Sequence, residues 1–428
     1  MRPRVKKIEG PREEEAPAPS DNRKDYRPRY NAANLLDESG GKLLPELLRK
    51  EDQTNTSLRA AAVLLAITGL AMRANAQYTV TDLTPAGYTS NFGNGIASGM
   101  QVGSGAPTAS VISHALLWSG TAGSVVDLHP SSYTGGSVAN GLSGGTQVGY
   151  GAISLGGATH ALKWTGTAAS FVDLNGSFSM SGAHGVSGSA IVGFGTVSSG
   201  DNHAVLWAAG TVGSVVDLNP TGSPGSIAYG VDGSHQVGVQ LLSTGSPNHA
   251  LLWSGTAGSV VDLNPTGYGT SIAWGVSGSV QVGQAIPTGA VFSHALMWSG
   301  TAASFVDLNP TGFDGTVARG IAGGEEVGWG MSDAAFGATH ALVWGGSADS
   351  AIDLNSFLPF KSTLSHARGI DAAGNIIGDA IDPDDGTMHV VMWSPVPEPG
   401  PGSLLTFGAG VALAVRWRKK LFRFGTAH

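Results

Sequence analysis

The sequence predicts an all-β protein, a seven-bladed β-propeller of four-stranded repeats of about 45 residues. Three observations carry this reading. A His-x-x-x-Trp motif recurs seven times, with a Trp-to-Trp period of 43 to 49 residues. Each period holds four short apolar or β-branched runs bounded by Gly, Ser, Asn and Pro. The two ends of the array are offset: the first copy opens on an Asp-Leu strand, Tyr78–Leu83, and the last ends on a His-to-Trp strand, Met388–Trp393. The N-terminal strand can therefore complete the last blade and leave no exposed edge at the seam. A β-solenoid with two coils per repeat is the alternative fold, and it requires neither seven units nor a circular offset.

Composition agrees with this class. The 428 residues include 65 glycines and no cysteine, with a formal charge of −8. Without Cys there is no disulfide scaffold, zinc ribbon, iron–sulfur cluster or thiol nucleophile. Charged residues make up 13% against 41% apolar, which argues against disorder over most of the chain. The glycines lack a G-X-Y period, which excludes collagen.

The flanks differ from the middle. Residues 1–56 mix acidic and basic residues with clustered prolines and read as a disordered charged extension. Residues 57–76 combine Arg59, an apolar run from Ala60 to Met72 and the small-residue site Ala74-Asn75-Ala76. That is a secretory signal peptide, with cleavage between Ala76 and Gln77. The stretch before it is either an extended leader or lies upstream of the true start. Residues 396–428 read as a proline-rich break, a short apolar stretch from Ser403 to Val415 and a basic end from Arg416 to Lys420. The apolar stretch is short for a membrane span, and the basic end would sit at the cytoplasmic face. This three-part tail resembles the PEP-CTERM sorting signal, with Pro397, Glu398 and Pro399 matching the name motif. The resemblance implies exosortase-type processing, transient inner-membrane anchoring and final placement at the cell surface or in extracellular matrix.

The middle, residues 77–395, is the propeller. In repeat one the four pieces are Gly95–Ser98, Gln101–Gly103, Ser113–Trp118 and Ser124–Leu128. The repeated histidines are His114, His160, His203, His249, His294, His340 and His389, each four residues before Trp118, Trp164, Trp207, Trp253, Trp298, Trp344 and Trp393. An Asp-Leu pair recurs at Asp82, Asp127, Asp173, Asp217, Asp262, Asp307 and Asp353. Glycine columns run through Gly95 and Gly103 and their counterparts. The pattern resembles the HAF family of extracellular repeat proteins over about residues 78–393, although Phe of the His-Ala-Phe name triplet is replaced by Leu or Val. The resemblance implies an exported repeat protein and brings no known activity.

One His, one Asp and one Trp per repeat is what a structural lock requires, whereas catalysis needs one site per protein. The expected lock is an Asp accepting from the imidazole, with the Trp ring covering both. Gly141-Leu-Ser143-Gly-Gly145 matches the G-x-S-x-G elbow but lacks the strand-to-helix turn an elbow needs. No cofactor or catalytic residue is predicted. Asp382, Asp384 and Asp385 are candidates for a calcium loop, since hard cations want clustered oxygens. Glu325 and Glu326 are the candidate carboxylates for a glycosidase cleft. From Gln77 to Pro395 nineteen acidic residues face four basic ones, a balance of −15, so no nucleic-acid partner is expected. The expected function is that of an exported, non-enzymatic structural or glycan-interaction module of the cell surface or matrix, with signal peptidase, the sorting machinery and extracellular polysaccharide as partners. The alternative is an extracellular propeller enzyme, a hydrolase or lyase, acting on glycans.

Overall fold

A computed structural model describes residues 77–242, 248–332 and 337–397. The charged extension, the signal peptide with Ala76, and the tail from Glu398 through Pro399 onward lie outside the described residues; Gln77 and Pro397 lie within them.

Seven four-stranded antiparallel sheets form the blades of a seven-bladed β-propeller. In blade one the strands run outward from the axis as Tyr88–Ala97, Met100–Pro107, His114–Trp118 and Val126–Asp127. Blade seven takes three strands from the C-terminal end, Ser365–Ile370, Ile376–Asp382 and Thr387–Pro395, and its outer strand, Tyr78–Asp82, from the N-terminal end. The closing register pairs Val80 with Trp393 and Asp82 with Val391. A solenoid has no such pairing.

Two glycine columns explain how the ring closes. The innermost strand of each blade carries a β-bulge, between Gly93 and Gly95 in blade one. Opposite it stands the second column: a Cβ on Gly103 would lie 1.9 Å from the Phe92 carbonyl oxygen, and Gly149, Gly193 and Gly378 face the same 1.9 Å approach. No side chain fits there. The first column brings neighbouring inner strands together around the axis: a Cβ on Gly95 would lie 3.0 Å from the Asn140 carbonyl oxygen of the next blade, and one on Gly185 2.8 Å from that of Tyr229.

The tryptophans are not placed as expected. All seven are buried, with at most 1% of their surface exposed, in cores shared by adjacent blades. Trp164 packs with Val102, Leu117 and Leu128 of the preceding blade, and Trp118 with Leu83, Ile377 and Val390 across the seam. The His–Asp pairs lie nearer the surface, with the histidine side chains 14–33% exposed and the aspartates 38–55%. The Trp therefore keys blade to blade and does not cover the lock. Its burial supplies the larger share of the energy, since a buried aromatic contributes more than a half-exposed polar pair.

A second inter-blade device escaped the sequence reading. Ser137, Ser181, Ser226, Ser271, Thr316 and Ser365 each accept a hydrogen bond from the backbone N–H after the motif His of the preceding blade, at 2.8–3.0 Å. Five of these hydroxyls donate onward to Asn175, Asn219, Asn264, Asn309 and Asn355. Thr84 closes the set at the seam, accepting from the Val390 N–H.

Candidate functional site in the central channel

The repeated lock forms in every blade. Each motif His approaches an Asp Oδ2 through Nδ1 at 2.6–2.8 Å, from His114–Asp127 to His389–Asp82. Seven copies at the blade surface are a structural feature.

The acidic candidates resolve differently. Gln101, Gln147, Gln236 and Gln281 each accept from a loop glycine N–H through Oε1 at 2.7–2.9 Å. Glu326 holds the same position in blade six, and its Oε2 accepts from the Gly346 N–H at 2.8 Å. It is 2% exposed, a loop pin and not a cleft carboxylate. Burial pushes its pKa up, with Glu325 adding to the effect and backbone hydrogen bonds opposing it. In blade seven, Asp382, Asp385 and His389 bring one ligand atom each within 4.8 Å of one another, and Asp384 is not part of that group. Asp385 Oδ1 is already taken by the Thr387 N–H and hydroxyl at 2.8 and 2.7 Å, and its Oδ2 by His389 at 3.2 Å. An imidazole in place of a third oxygen departs from what a calcium loop wants.

The arrangement most able to bind a ligand is on the axis. The residue before each Gly of the first column faces the channel, and it differs around the ring: Asn94, Asn140, His184, Tyr229, Trp274, Arg319 and Arg368. These seven, with Phe92, Ser104, Ser113, Val138 and Tyr150, line a cavity of about 520 Å³. On the far side the glycines and the apolar residues after them form a throat of about 220 Å³.

The ring divides into three arcs. Asn94 and Asn140 donate to the Ala139 and Ala183 carbonyls of the next blade at 2.9 and 2.8 Å, tying blades one to three. His184, Tyr229 and Trp274 form an aromatic arc, with ring centroids 5.2 and 4.3 Å apart. Arg319 stacks on Trp274, its guanidinium carbon 3.8 Å from the ring centroid. Arg368 is neutralised by Asp379. Arg319 has neither a carboxylate partner nor a hydrogen-bond acceptor among the described residues. Burial and then the neighbouring Arg368 push its pKa down to about 10, which leaves it charged at neutral pH. Burial, helped by Arg319, pushes His184 down to about 4, so its ring is neutral there. Its Nε2 is buried without a hydrogen-bond partner.

The sequence reading missed this ring. The signal was nonetheless in the sequence: Arg319 and Arg368 are the only arginines between Gln77 and Pro395, and each precedes a repeated glycine.

No family model and no curated protein matches the chain. Among solved structures, it is similar to a puromycin hydrolase at 11% identity and a TM-score of 0.49, covering 75% of this chain and 55% of that one. A prolyl endopeptidase structure matches at 11% identity and a TM-score of 0.48, over 82% and 57%. TolB from Acinetobacter baumannii matches at 11% identity and a TM-score of 0.37, over 70% and 64%. The chain thus spans 55–64% of the length of these proteins. This finding corrects two expectations, that of a non-enzymatic structural or glycan-interaction module sorted by an exosortase-type system and that of a chain without enzymatic activity. By their names the neighbours are two hydrolases and TolB, and at 11% identity the likeness is one of fold.

Proposed function

We propose that the channel binds a small carboxylate carrying a flat ring, with the carboxylate on Arg319 and the ring along the arc of Trp274, Tyr229 and His184. The observation that carries this is that Arg319 has no carboxylate partner among the described residues. A buried cation without a counter-ion is costly, and a ligand carboxylate would offset that cost with a charge-assisted, two-pronged contact. The neutral His184 supports the reading, since an uncharged ring in the arc can pack beside a flat ligand. The setting adds selectivity, because the cation sits in a segment of balance −15 that repels anions elsewhere. The same proposal places the protein outside the cytoplasm, supported by the signal-peptide pattern of residues 57–76 and the anchor-like tail of residues 396–428.

Titration calorimetry with benzoate and indole-3-carboxylate, against their uncharged amides, tests the binding. Carboxylate binding that is lost in Arg319→Gln and retained in Arg368→Gln supports the reading. Equal affinity for the amides, or binding untouched by Arg319→Gln, overturns it.

A further inference from the structure

The same contrast between repeated and unrepeated positions exposes a second constellation. In the inner-strand column two residues before the ring, six blades carry Phe92, Val138, Gly182, Ile227, Ile272 and Val317. Blade seven carries His366. Its cross-strand partner is Asp379, where the other blades place Ser104, Tyr150, Phe194, Val239, Gln284 and Trp329. Six blades fold without a polar pair here, so the fold does not require one.

The geometry links three groups in line. Thr339 Oγ1, at the start of a blade-six strand, lies 3.0 Å from His366 Nε2. His366 Nδ1 lies 3.3 Å from Asp379 Oδ2. Asp379 is fully buried and held by Arg368, which lines the cavity. The Trp329 ring packs on the imidazole at 4.7 Å, and the Thr339 N–H donates to the Thr363 carbonyl at 3.2 Å. Hydroxyl, imidazole and carboxylate are thus each positioned by a separate neighbour. The His366 side chain is 17% exposed, and its column lines the cavity in blades one and two through Phe92 and Val138. The contrast with the seven repeated His–Asp pairs is in the carboxylate: Asp379 is fully buried, where their aspartates are 38–55% exposed.

We propose that Thr339, His366 and Asp379 form a hydrolytic relay on the channel wall, with Thr339 as nucleophile and His366 as general base, acting on a small ester or amide. Thr339 Oγ1 attacks the carbonyl carbon and its proton passes to His366 Nε2. That proton leaves with the alcohol or amine as the C–O or C–N bond breaks. Water, deprotonated by His366, then cleaves the acyl-Thr339 ester and the proton returns to the hydroxyl. Asp379 and Arg368 are positioning residues that fix the ring and its tautomer. This goes beyond the carboxylate-binding reading and meets its cavity through Arg368.

The test uses the full chain with an alkyl fluorophosphonate, which transfers phosphorus to an activated hydroxyl and releases fluoride with the proton. Peptide mass spectrometry should place the adduct on Thr339. Thr339→Val should abolish it, Thr339→Ser should keep it, and His366→Gln should slow it by about 100-fold or more, the scale of general-base assistance. Hydrolysis of para-nitrophenyl acetate should fall in parallel. Benzoate binding by a parent chain that forms no adduct on Thr339 removes the relay alone, and an adduct on Thr339 in a parent chain that binds no benzoate removes the carboxylate reading alone, which separates the two proposals. No adduct on Thr339 in the folded parent chain, or labelling unchanged in His366→Gln, overturns the relay.

Discussion

Thr79 and Ser394 face each other across the closing strand pair, and the Thr79 hydroxyl donates to the Ser394 carbonyl at 3.3 Å. The two positions are 315 residues apart in sequence. Directly opposed residues of an antiparallel pair have Cβ atoms about 4.5–5.5 Å apart, which a disulfide can span with small adjustment. In a chain without cysteine, Thr79→Cys with Ser394→Cys yields one defined bridge. The chain-entropy relation for a loop of that length gives about 5.7 kcal/mol of stabilisation as an upper bound, and bridges commonly deliver about 2–4 kcal/mol. For a domain of this size roughly 1.5 °C accompanies each kcal/mol, so the melting temperature should rise by about 3–6 °C. Calorimetry with and without reductant reads the difference, and non-reducing electrophoresis shows whether the bridge forms within a monomer. A bridge that forms only between chains, or a melting temperature indifferent to reductant, would refute the closure argument.

Two further outcomes concern titration. Glu326→Gln restores the residue four other blades carry; because the raised pKa means ionisation is disfavoured in the fold, the parent chain should lose stability relative to the variant as pH rises above the ordinary glutamate range, and matching melting curves from pH 4 to 8 would contradict this. At the seam, burial lowers the His389 pKa, but hydrogen bonds to Asp82 and Asp385 outweigh it and raise the value overall. Its contribution is therefore full below the unfolded value, about 6.5, and is lost as pH rises through the raised folded value; His389→Gln should flatten that loss in a urea series, and an unchanged pH slope would contradict it.

The fold was legible because the structural residues repeat. Seven copies of His, Asp, Trp and Gly in fixed order gave the strands, and the offset of Tyr78–Leu83 gave the seam. Packing direction was not legible: a Trp four residues after a His shares its strand face in an alternating pattern, yet it buries against the preceding blade. Glu326 misled because a charge in a neutral column suggests chemistry, while its shape simply replaces Gln101 and its counterparts. The channel ring was overlooked for the opposite reason. No residue type fills more than two of its seven positions, so a search for recurring features passes over Arg319 and Trp274, although a fixed column with changing contents is how a site differs from its scaffold.

The glycine beside each ring position has a consequence for how such a protein can change. Backbone contact between neighbouring inner strands, as at Gly95 and Asn140, sets the bore of the channel without help from the side chain that precedes each glycine. That side chain can be exchanged while the bore stays constant. Seven positions then act as an addressable wall on an invariant frame: duplication multiplies the frame, and divergence at one residue per copy rewrites the chemistry. A library confined to positions 184, 229, 274 and 319, with the ties of Asn94 and Asn140 and the Arg368–Asp379 pair left in place, would explore new specificities with little risk to folding.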